Sequence, residues 1–391
     1  MGALRLYLAL CVVSAHSEKI FPWAIHDGRQ AVQLFFMISG FYMQFVLTTS
    51  YRSVSRFYTS RALRIFVPYY VVLLFVVLLS VLNGAMFGDW LTLQEWIDGY
   101  ETGGAGVQGR LVAGASVLSL FFQDWVMFLS HEPGAGLEFT ANFWSSEEPL
   151  WKFLLIPQAW SVGLELCFYL VAPFLASRMR VGGLCLLVAF SLIVRFMSYH
   201  FFGLAHDPWT YRFFPFELAL FLMGMLSARF YLESRLRIEQ SIPSFLTRGI
   251  NTTRGYLLFV TTIMVAIAFA AQAGHMGMER IKPFGVIWRE VWFFVSYLPW
   301  LIVVPVLFAV TKKCSIDRDI GELSYPVYLI HFSLILLLTP WVEHGILGET
   351  SALASVLLSA ALLRYLLLPF ERWRARQKSE PTLLTPIAAA N

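Results

Sequence analysis

Three titratable side chains interrupt two strongly apolar stretches of the sequence. Arg5 and His16 stand near the ends of the N-terminal stretch, and Glu165 lies within a later one. In an α-helix, the step of eleven residues from Arg5 to His16 makes three turns plus about 20°. Both side chains would therefore share one face, about 16 Å apart along the axis. Ionisable groups in membrane helices face protein or a water-filled cavity, so this face is a candidate for acid–base chemistry.

Glu165 and His16 are predicted to meet in the outer half of the membrane. If their helices cross in opposite directions, the end of the first helix and the beginning of the other lie at a similar depth. Glu165 has Ser161 and Tyr169 one turn to either side. A lone carboxylate within a membrane is costly unless it is paired. A carboxylate that orients an imidazole and stabilises its protonated form is a recurring general-base pair, so Glu165 is a candidate partner for His16.

Arg61 and Arg64 form a second candidate site in front of the third apolar stretch. They are separated by three positions, so on a helix they share one face. Two guanidinium groups on that face form a forked cationic site that suits phosphate groups. Arginines at this place also fit the ordinary positive charge at the cytoplasmic end of membrane helices. The spacing favours neither interpretation over the other.

Further polar residues within apolar stretches are candidates for a substrate cavity: Ser39, Trp160, Ser161, Tyr169 and His331. Structural alternatives exist for them. Ser39 precedes Gly40, and small residues allow close helix packing, whereas a histidine near mid-membrane such as His331 can be a hydrogen-bonded packing residue. Four charged residues in the outer part of the bundle fit either an acceptor cavity or, more simply, structural ion pairs: Asp124, Arg195, Arg212 and Glu217.

The composition is that of a polytopic membrane protein. Of 391 residues, 58% are hydrophobic and 14% are charged, and the mean hydropathy is +0.65. Basic residues do not alternate with aromatic ones as in nucleic-acid-binding modules, so we expect no nucleic-acid partner. The four cysteines are scattered, without a CxxC or Cys/His cluster. We therefore predict neither disulfides nor a metal site.

Hydrophobic windows predict an all-α fold with about ten transmembrane helices. The predicted spans are Gly2–Ser17, Ala31–Thr49, Phe66–Leu82, Gln158–Ala176, Val181–Phe201, Tyr211–Tyr231, Gly255–Ala273, Val286–Val310, Ser324–Val342 and Ser351–Phe370. The apolar segment Leu111–Leu129 carries Gln123 and Asp124. It is a candidate for a re-entrant or interfacial element.

The distribution of Lys and Arg predicts that both chain ends are cytoplasmic. With ten spans and the N-terminus inside, the inner loops carry about twice as many of these residues as the outer loops. A full span at Leu111–Leu129 would reverse every later loop and remove the bias. The long connection Asn83–Lys152, between the third and fourth helices, is then extracytoplasmic. Connections of this length are usually functional or disordered.

The two ends of the chain need separate interpretation. A cation, a short apolar core and the residues Val13–Ala15 before His16 also fit a signal peptide with a cleavage site. This local pattern does not decide between cleavage and retention. At the other end, residues 377–391 contain Pro381 and Pro386 and are predicted to be a disordered cytoplasmic tail. Residues 1–376 are predicted to form the integral membrane domain.

Five motifs, in the same order, resemble those of the acyltransferase-3 family of integral membrane O-acyltransferases, from Leu4 to about Arg372. Arg5 and His16 match its Arg-x10-His pattern, Phe35–Phe41 its FF-x-x-SGF stretch, Arg61–Arg64 with Pro68–Tyr70 its RxxR segment, Trp160–Pro173 its WSL-x-x-E and FY series, and Ser324–His331 its SYP-x-YL-x-H signature. Two positions depart from the family pattern: Gln33, where Asp is common, and Val162, where Leu is common.

The resemblance implies that the first helix and His16 are retained. It also implies transfer of an acyl group, most often acetyl, from cytoplasmic acyl-CoA to a hydroxyl of an extracytoplasmic or lipid-linked glycan. No permanently bound cofactor is expected. Membrane lipids, acyl-CoA and the glycan are the expected partners, and the plasma membrane, the inner membrane in a bacterium, is the expected location. The resemblance does not specify whether the acyl group is acetyl or longer, which molecule accepts it, or which hydroxyl is acylated.

A mechanism follows as a hypothesis from this resemblance. Arg5, Arg61 and Arg64 bind the donor, with the latter two on the CoA phosphates. The pantetheine arm follows the face shared by Arg5 and His16. His16 then removes the acceptor proton while Glu165 stabilises the imidazolium, and a transient acyl-histidine is a variant.

Two other functions remain compatible with the sequence. A transporter or flippase that moves a glycan or a small solute without chemistry would also use intramembrane His, Glu and Arg. Matching halves with Gly/Pro-broken helices would favour it, and the sequence contains no such repeat. The second is an acyltransferase whose acceptor is a small molecule.

Overall fold

The computed structural model of the protein describes residues 1–21, 26–50, 53–132, 134–243, 248–281, 291–292 and 294–370. The predicted tail, 377–391, and the last part of the predicted membrane domain, 371–376, lie outside the described residues. The α-helices with described bounds include α1 (Gly2–His16), α2 (Gly28–Thr49), α3 (Val54–Phe87), α4 (Gln94–Thr102), α5 (Gly106–Ser119), α6 (Gln123–Val126), α7 (Trp160–Arg178), α8 (Val181–Phe202), α9 (Phe214–Ser241), α10 (Thr253–Ile281), α11 (Trp300–Thr311), α12 (Ser315–Leu338) and α13 (Leu347–Leu362).

The predicted class, an all-α polytopic membrane protein, is confirmed. Seven helical segments of the described chain are long and apolar enough to cross a membrane: Gly28–Thr49, Val54–Phe87, Pro157–Arg178, Val181–Phe202, Phe214–Ser241, Ser315–Leu338 and Leu347–Phe370. Shorter apolar helices, Gly2–His16, Thr253–Ile267 and Trp300–Thr311, lie where the first, seventh and eighth spans were predicted. The count of ten and the cytoplasmic position of both ends stay predictions.

Two predicted spans have different limits in the structure. Helix α3 begins at Val54 instead of Phe66, and its 34 residues extend over about 51 Å, beyond the roughly 30 Å hydrocarbon core. Arg61 and Arg64 therefore lie in its first turns. Of the predicted span Val286–Val310, residues 286–290 and 293 lie outside the described residues. The helix α11 begins only at Trp300, after a turn that includes Pro299.

The connection between α3 and α7 is an ordered lobe, which we call the outer lobe. It contains α4 to α6 and three short strands, β1 (Leu129–Glu132), β2 (Gly136–Phe139) and β3 (Glu148–Pro149). The strands pair antiparallel in the order β2–β1–β3, with His131 opposite Leu137 and Glu148. The described part of this long connection is therefore folded rather than disordered.

The segment Leu111–Leu129 does not form an eleventh span. Helix α5 ends at Ser119 because Leu120 and Phe122 have φ values of 61° and 65°. A right-handed helix cannot include residues with positive φ. The chain turns there and continues as the four-residue helix α6. The re-entrant or interfacial character of the segment stays a prediction.

Helices α1 and α12 lie side by side and run in the same direction. Near their beginnings, the amides of Gly2 and Ala3 donate to the Asp317 carboxylate at 2.7 and 3.0 Å. Near the other end, His16 contacts His331. Gly2 permits this approach, because a Cβ there would lie 1.6 Å from the Asp317 carbonyl oxygen. We call the Gly2 end of the bundle the inner end and the His16 end the outer end, following the predicted orientation.

Helices α2 and α9 also make backbone contact, at two glycines. A Cβ on Gly40 would lie 1.9 Å from the Phe221 carbonyl oxygen, and one on Gly224 would lie 2.0 Å from the Met37 carbonyl oxygen. The close-packing interpretation of the Ser39–Gly40 pair therefore holds for Gly40. This contact fixes the helix that carries Ser39.

Candidate functional site

A cavity of about 770 Å³ occupies the inner half of the bundle, between α1, α2, α3, α7, α11 and α12. Its wall is strongly basic. The basic residues are Arg5, Arg61, Arg64, Arg235, Lys312, Lys313 and Arg318, and the acidic ones are Glu165, Asp317 and Glu322. We call this space the inner cavity. The excess of cations favours an anionic ligand at this end.

The three arginines predicted to bind the donor all line the inner cavity. Arg64 forms an ion pair with Glu322, with 2.8 Å between Nη2 and Oε1, and both side chains are partly exposed. Within the described residues, the Arg5 side chain makes neither an ion pair nor a hydrogen bond, although it is partly buried in the wall. A cation in this situation is available to a phosphate or carboxylate ligand.

Sequence reasoning missed the other basic residues of the cavity. Arg235 and Lys312 share the Glu239 carboxylate, at 2.7 and 2.5 Å, and Lys313 and Arg318 also line the wall. In the sequence they are cations of inner loops, and nothing in their local spacing links them to Arg61. They come together only because α9, α11 and α12 end or begin at the same level.

Glu165 lies inside the inner cavity rather than at its outer end. Its Oε1 accepts hydrogen bonds from the hydroxyls of Ser39 and Tyr169, both at 2.5 Å. All three residues line the cavity. Ser39 and Tyr169 thus line the inner cavity, and they satisfy one oxygen of the carboxylate.

His16 contacts a second histidine at the outer end of the bundle. Its Nδ1 lies 2.8 Å from Nε2 of His331, and the two rings are nearly parallel, 11° apart. His331 is fully buried, whereas His16 is exposed. His331 Nδ1 lies 2.8 Å from the Tyr328 carbonyl oxygen.

These contacts assign the protons of the two neutral imidazoles. A carbonyl oxygen only accepts, so His331 Nδ1 carries a proton and donates it to Tyr328. Nε2 of His331 then accepts from the N–H at Nδ1 of His16. The basic lone pair of His16 is left on Nε2, the nitrogen that a general base would use.

Tyr328 connects the histidine pair to the inner cavity. Its hydroxyl lies 2.7 Å from Ser161 Oγ and donates to the Gln158 carbonyl oxygen at 2.9 Å. Ser161 and Tyr328 line the cavity, and Glu165 follows Ser161 by one turn, about 6 Å further inward. We call His16, His331, Tyr328, Ser161 and Glu165 the polar column. Tyr328 was not selected from the sequence, although it belongs to one of the motifs.

The predicted contact between His16 and Glu165 is absent. Among the described residues, His16 hydrogen-bonds to His331 and Glu165 to Ser39 and Tyr169. The reason is the parallel packing of α1 on α12, which puts His331 beside His16. Glu165 lies deeper in the bundle, one turn below the Ser161–Tyr328 contact.

Trp160 lies at the outer end, outside the wall of the inner cavity. It is 4% exposed, and the Arg212 guanidinium lies 4.4 Å from the centre of its ring. Arg212 also forms an ion pair with Asp207 at 2.6 Å. Trp160 directly precedes Ser161 of the polar column in the chain.

The remaining charged candidates lie outside the wall of the inner cavity. Arg195 and Glu217 form a buried ion pair at 2.9 Å. Asp124 is 2% exposed, and its Oδ1 has no hydrogen-bond partner within the described residues. This oxygen faces Gly163 of α7, where a Cβ would lie 3.0 Å away. Burial raises the pKa of the Asp124 carboxyl to about 7.

The family comparison decides the class of this protein. The family described as an acyltransferase domain matches residues 1–367 of the 391-residue chain. The chain belongs to the acyltransferase-3 family. No curated protein and no solved structure matches it. The predicted resemblance is thereby confirmed, and the protein is a membrane acyltransferase.

In this acyltransferase, the matched region contains both the inner cavity and the whole polar column. Acyl transfer to a hydroxyl requires a donor, an acceptor and a group that removes the acceptor proton. The cavity provides a cationic space at the inner end of the bundle. The column ends in an imidazole that is open to the opposite side of the bundle.

Proposed function

We propose that this acyltransferase transfers an acyl group from cytoplasmic acyl-CoA to a hydroxyl of an extracytoplasmic or lipid-linked glycan. The proposed acyl group is acetyl. One observation carries the proposal: a cationic cavity at the inner end reaches Tyr328 of α12, and the same helix places His331 against the exposed His16 at the outer end. The donor and the acceptor thus approach the same reaction centre from opposite sides of the membrane.

The inner cavity suits CoA in charge and in size. CoA carries several phosphate charges at one end and a neutral pantetheine arm at the other. Arg5, Arg61 and Arg64 bind the phosphates through charge-assisted hydrogen bonds, and Lys312 and Lys313 add positive charge nearby. The volume of about 770 Å³ lies in the usual range of about 300–1,000 Å³ for cofactor pockets.

The deeper wall of the cavity guides the arm. Ser39, Glu165 and Ser161 are polar groups in an otherwise apolar wall. Within the described residues, Glu165 Oε2 accepts no hydrogen bond. It is available to an amide N–H of the pantetheine arm. This assigns Glu165 to donor positioning, in place of the direct contact with His16 predicted from the sequence.

His16 is the general base of the proposed reaction. Nε2 takes the proton of the acceptor hydroxyl as its oxygen attacks the thioester carbonyl carbon. The C–S bond breaks, an ester bond forms, and the imidazolium returns the proton to the CoA thiolate. His331 is a positioning residue, since its Nε2 accepts from His16 Nδ1 and stabilises the charged ring. In the acyl-histidine variant, Nε2 attacks the thioester directly.

The test is incorporation of label in membranes from cells that produce the protein. With labelled acetyl-CoA, wild-type membranes should label the polysaccharide or lipid fraction. His16→Ala should abolish the labelling, whereas His344→Ala, an outer histidine with a side chain 94% exposed, should not change it. Labelling near the wild-type level in His16→Ala, at equal protein in the membrane, would contradict the assignment.

A further inference from the structure

A cluster of aromatic rings lies in the outer lobe, separate from the polar column. Phe143, Trp144 and Trp151 contact one another, with ring centroids 4.8, 5.8 and 5.9 Å apart. Phe143 is buried at 2% exposure, but Trp144 is 69% exposed. We call these three residues the aromatic platform. Its exposed member presents a flat apolar face on the outer surface.

The platform is connected to the reaction centre through Arg212. The Arg212 guanidinium lies 5.3 Å from the ring centre of Phe143 and 4.4 Å from that of Trp160. Trp160 directly precedes Ser161 of the polar column in the chain. The amide of Phe143 also donates to the Asp207 carbonyl oxygen at 3.2 Å, so the same loop holds both Arg212 and the platform.

The neighbours of Trp144 are those of a surface in water rather than in lipid. Ser145 and Glu147, which follow Trp144 in the chain, are exposed. A carboxylate three residues further along the same loop does not fit burial in hydrocarbon.

We infer that the aromatic platform binds a pyranose ring of the acceptor glycan and holds it beside His16. The inference rests on the proposed function. One face of a pyranose is rich in C–H groups, which carry slight positive charge and pack on the electron-rich face of an indole. The hydroxyls at the ring edge are left for the polar groups around it. The Arg212–Asp207 pair, which packs on Phe143, supplies both a donor and an acceptor there.

The matched experiment compares two equally exposed tryptophans. Trp144 is 69% exposed and Trp341 is 67% exposed, but Trp341 packs on Phe87, away from Arg212. The acceptor probe is surface glycan prepared from cells that lack the gene, and therefore not acylated by this protein. Initial rates of label transfer from acetyl-CoA are measured against glycan concentration, in membranes with equal amounts of protein.

Trp144→Ala should raise the KM for the glycan by about three- to tenfold, with kcat and the KM for acetyl-CoA close to wild type. Trp144→Phe should restore part of the loss, and Trp341→Ala should match wild type. An unchanged glycan KM in Trp144→Ala, or an equal rise in Trp341→Ala, would overturn the inference.

A second measurement separates this inference from the proposed function. Binding of the full-length purified protein to the same immobilised glycan is measured without acyl-CoA, in a detergent that contains no sugar. Binding by wild type that Trp144→Ala weakens supports the platform even if no label is transferred. If label is transferred and Trp144→Ala binds the glycan as well as wild type, the proposed function is supported and the platform is refuted. Absence of glycan binding by the wild-type protein also refutes the platform.

Discussion

The hydrogen bond between His16 and His331 gives the sharpest test of the reaction centre. Replacement of His331 by leucine removes the acceptor at Nε2 but keeps an apolar side chain of similar size at a fully buried position. The lost hydrogen bond is made to the His16 imidazole, which is charged in the transition state. Hydrogen bonds to charged groups contribute about 1.5–3 kcal/mol. At about 1.4 kcal/mol per factor of ten, kcat should fall by about 10- to 150-fold.

The assay measures kcat and both KM values with labelled acetyl-CoA and glycan. Because His331 lies outside the wall of the inner cavity, both KM values should stay within about twofold. His331→Gln keeps an acceptor on the side chain and should recover much of kcat. A purely structural role for His331 would not predict this recovery.

The control is another buried histidine on the outer side. His26 is 8% exposed and its Nδ1 lies 3.0 Å from the Tyr7 hydroxyl, but it has no contact with His16. His26→Leu should lower the stability of the protein and leave kcat per folded molecule unchanged. A kcat for His331→Leu within twofold of wild type would refute the positioning role and the proton assignment on which it depends.

Four further changes have distinct expected results. Glu165→Gln should raise the KM for acyl-CoA about three- to tenfold with little change in kcat, since the amide is a weaker acceptor for the arm. The double change Arg61→Ala with Arg64→Ala should raise the same KM about 10- to 100-fold, and most strongly at low salt. In the folded protein the Asp124 carboxyl keeps its proton up to about pH 7, whereas in the unfolded chain it loses the proton above about pH 4. Asp124 therefore lowers the stability of the folded protein as the pH rises from about 4 to about 7. Asp124→Asn should remove that fall, on the order of a few kcal/mol, in thermal unfolding measured from pH 4.5 to 8. Gly224→Ala should destabilise the protein by about 1–3 kcal/mol or more, because its Cβ would lie 2.0 Å from a backbone oxygen of α2.

Controls for these changes come from matched positions. Arg178→Ala removes an exposed inner arginine outside the cavity wall, and Asp89→Asn changes an exposed outer aspartate. Gly182→Ala adds a Cβ with no atom within 4 Å. A large loss of kcat in Glu165→Gln with an unchanged KM would return Glu165 to the role of imidazole partner. A change in glycan KM alone in the arginine double variant would disprove the CoA site.

The sequence predicted the helices well because each apolar span is a local property. It also selected the residues of the polar column other than Tyr328, since polar residues within apolar spans are conspicuous. It failed on the partner of His16 because the sequence indicates only how deep a residue lies in the membrane. Many residues of different helices share that depth, and the depth does not show which helices are neighbours. The neighbour of a helix is decided by packing, here by the glycine at position 2 that admits the backbone of α12.

Other features had no signal in the local pattern. The break at Leu120–Phe122 lies at three apolar residues, without the glycine or proline that usually marks such a turn. The cations from α9, α11 and α12 are separated in the chain by many residues, so their common cavity could not be predicted from spacing. Arg61 and Arg64 could be predicted as a pair from spacing, because they are three positions apart on the same helix, α3.

The hydrogen bond between Ser161 and Tyr328 has a consequence for the permeability of the membrane. These two hydroxyls lie where the inner cavity approaches the exposed histidine. On the proposed function, a pantetheine arm must part them to present its thioester to His16, and it then fills the opening that it has made. The acyl group can therefore cross while no continuous file of water conducts protons, so membranes that contain the protein should keep their proton gradient during turnover.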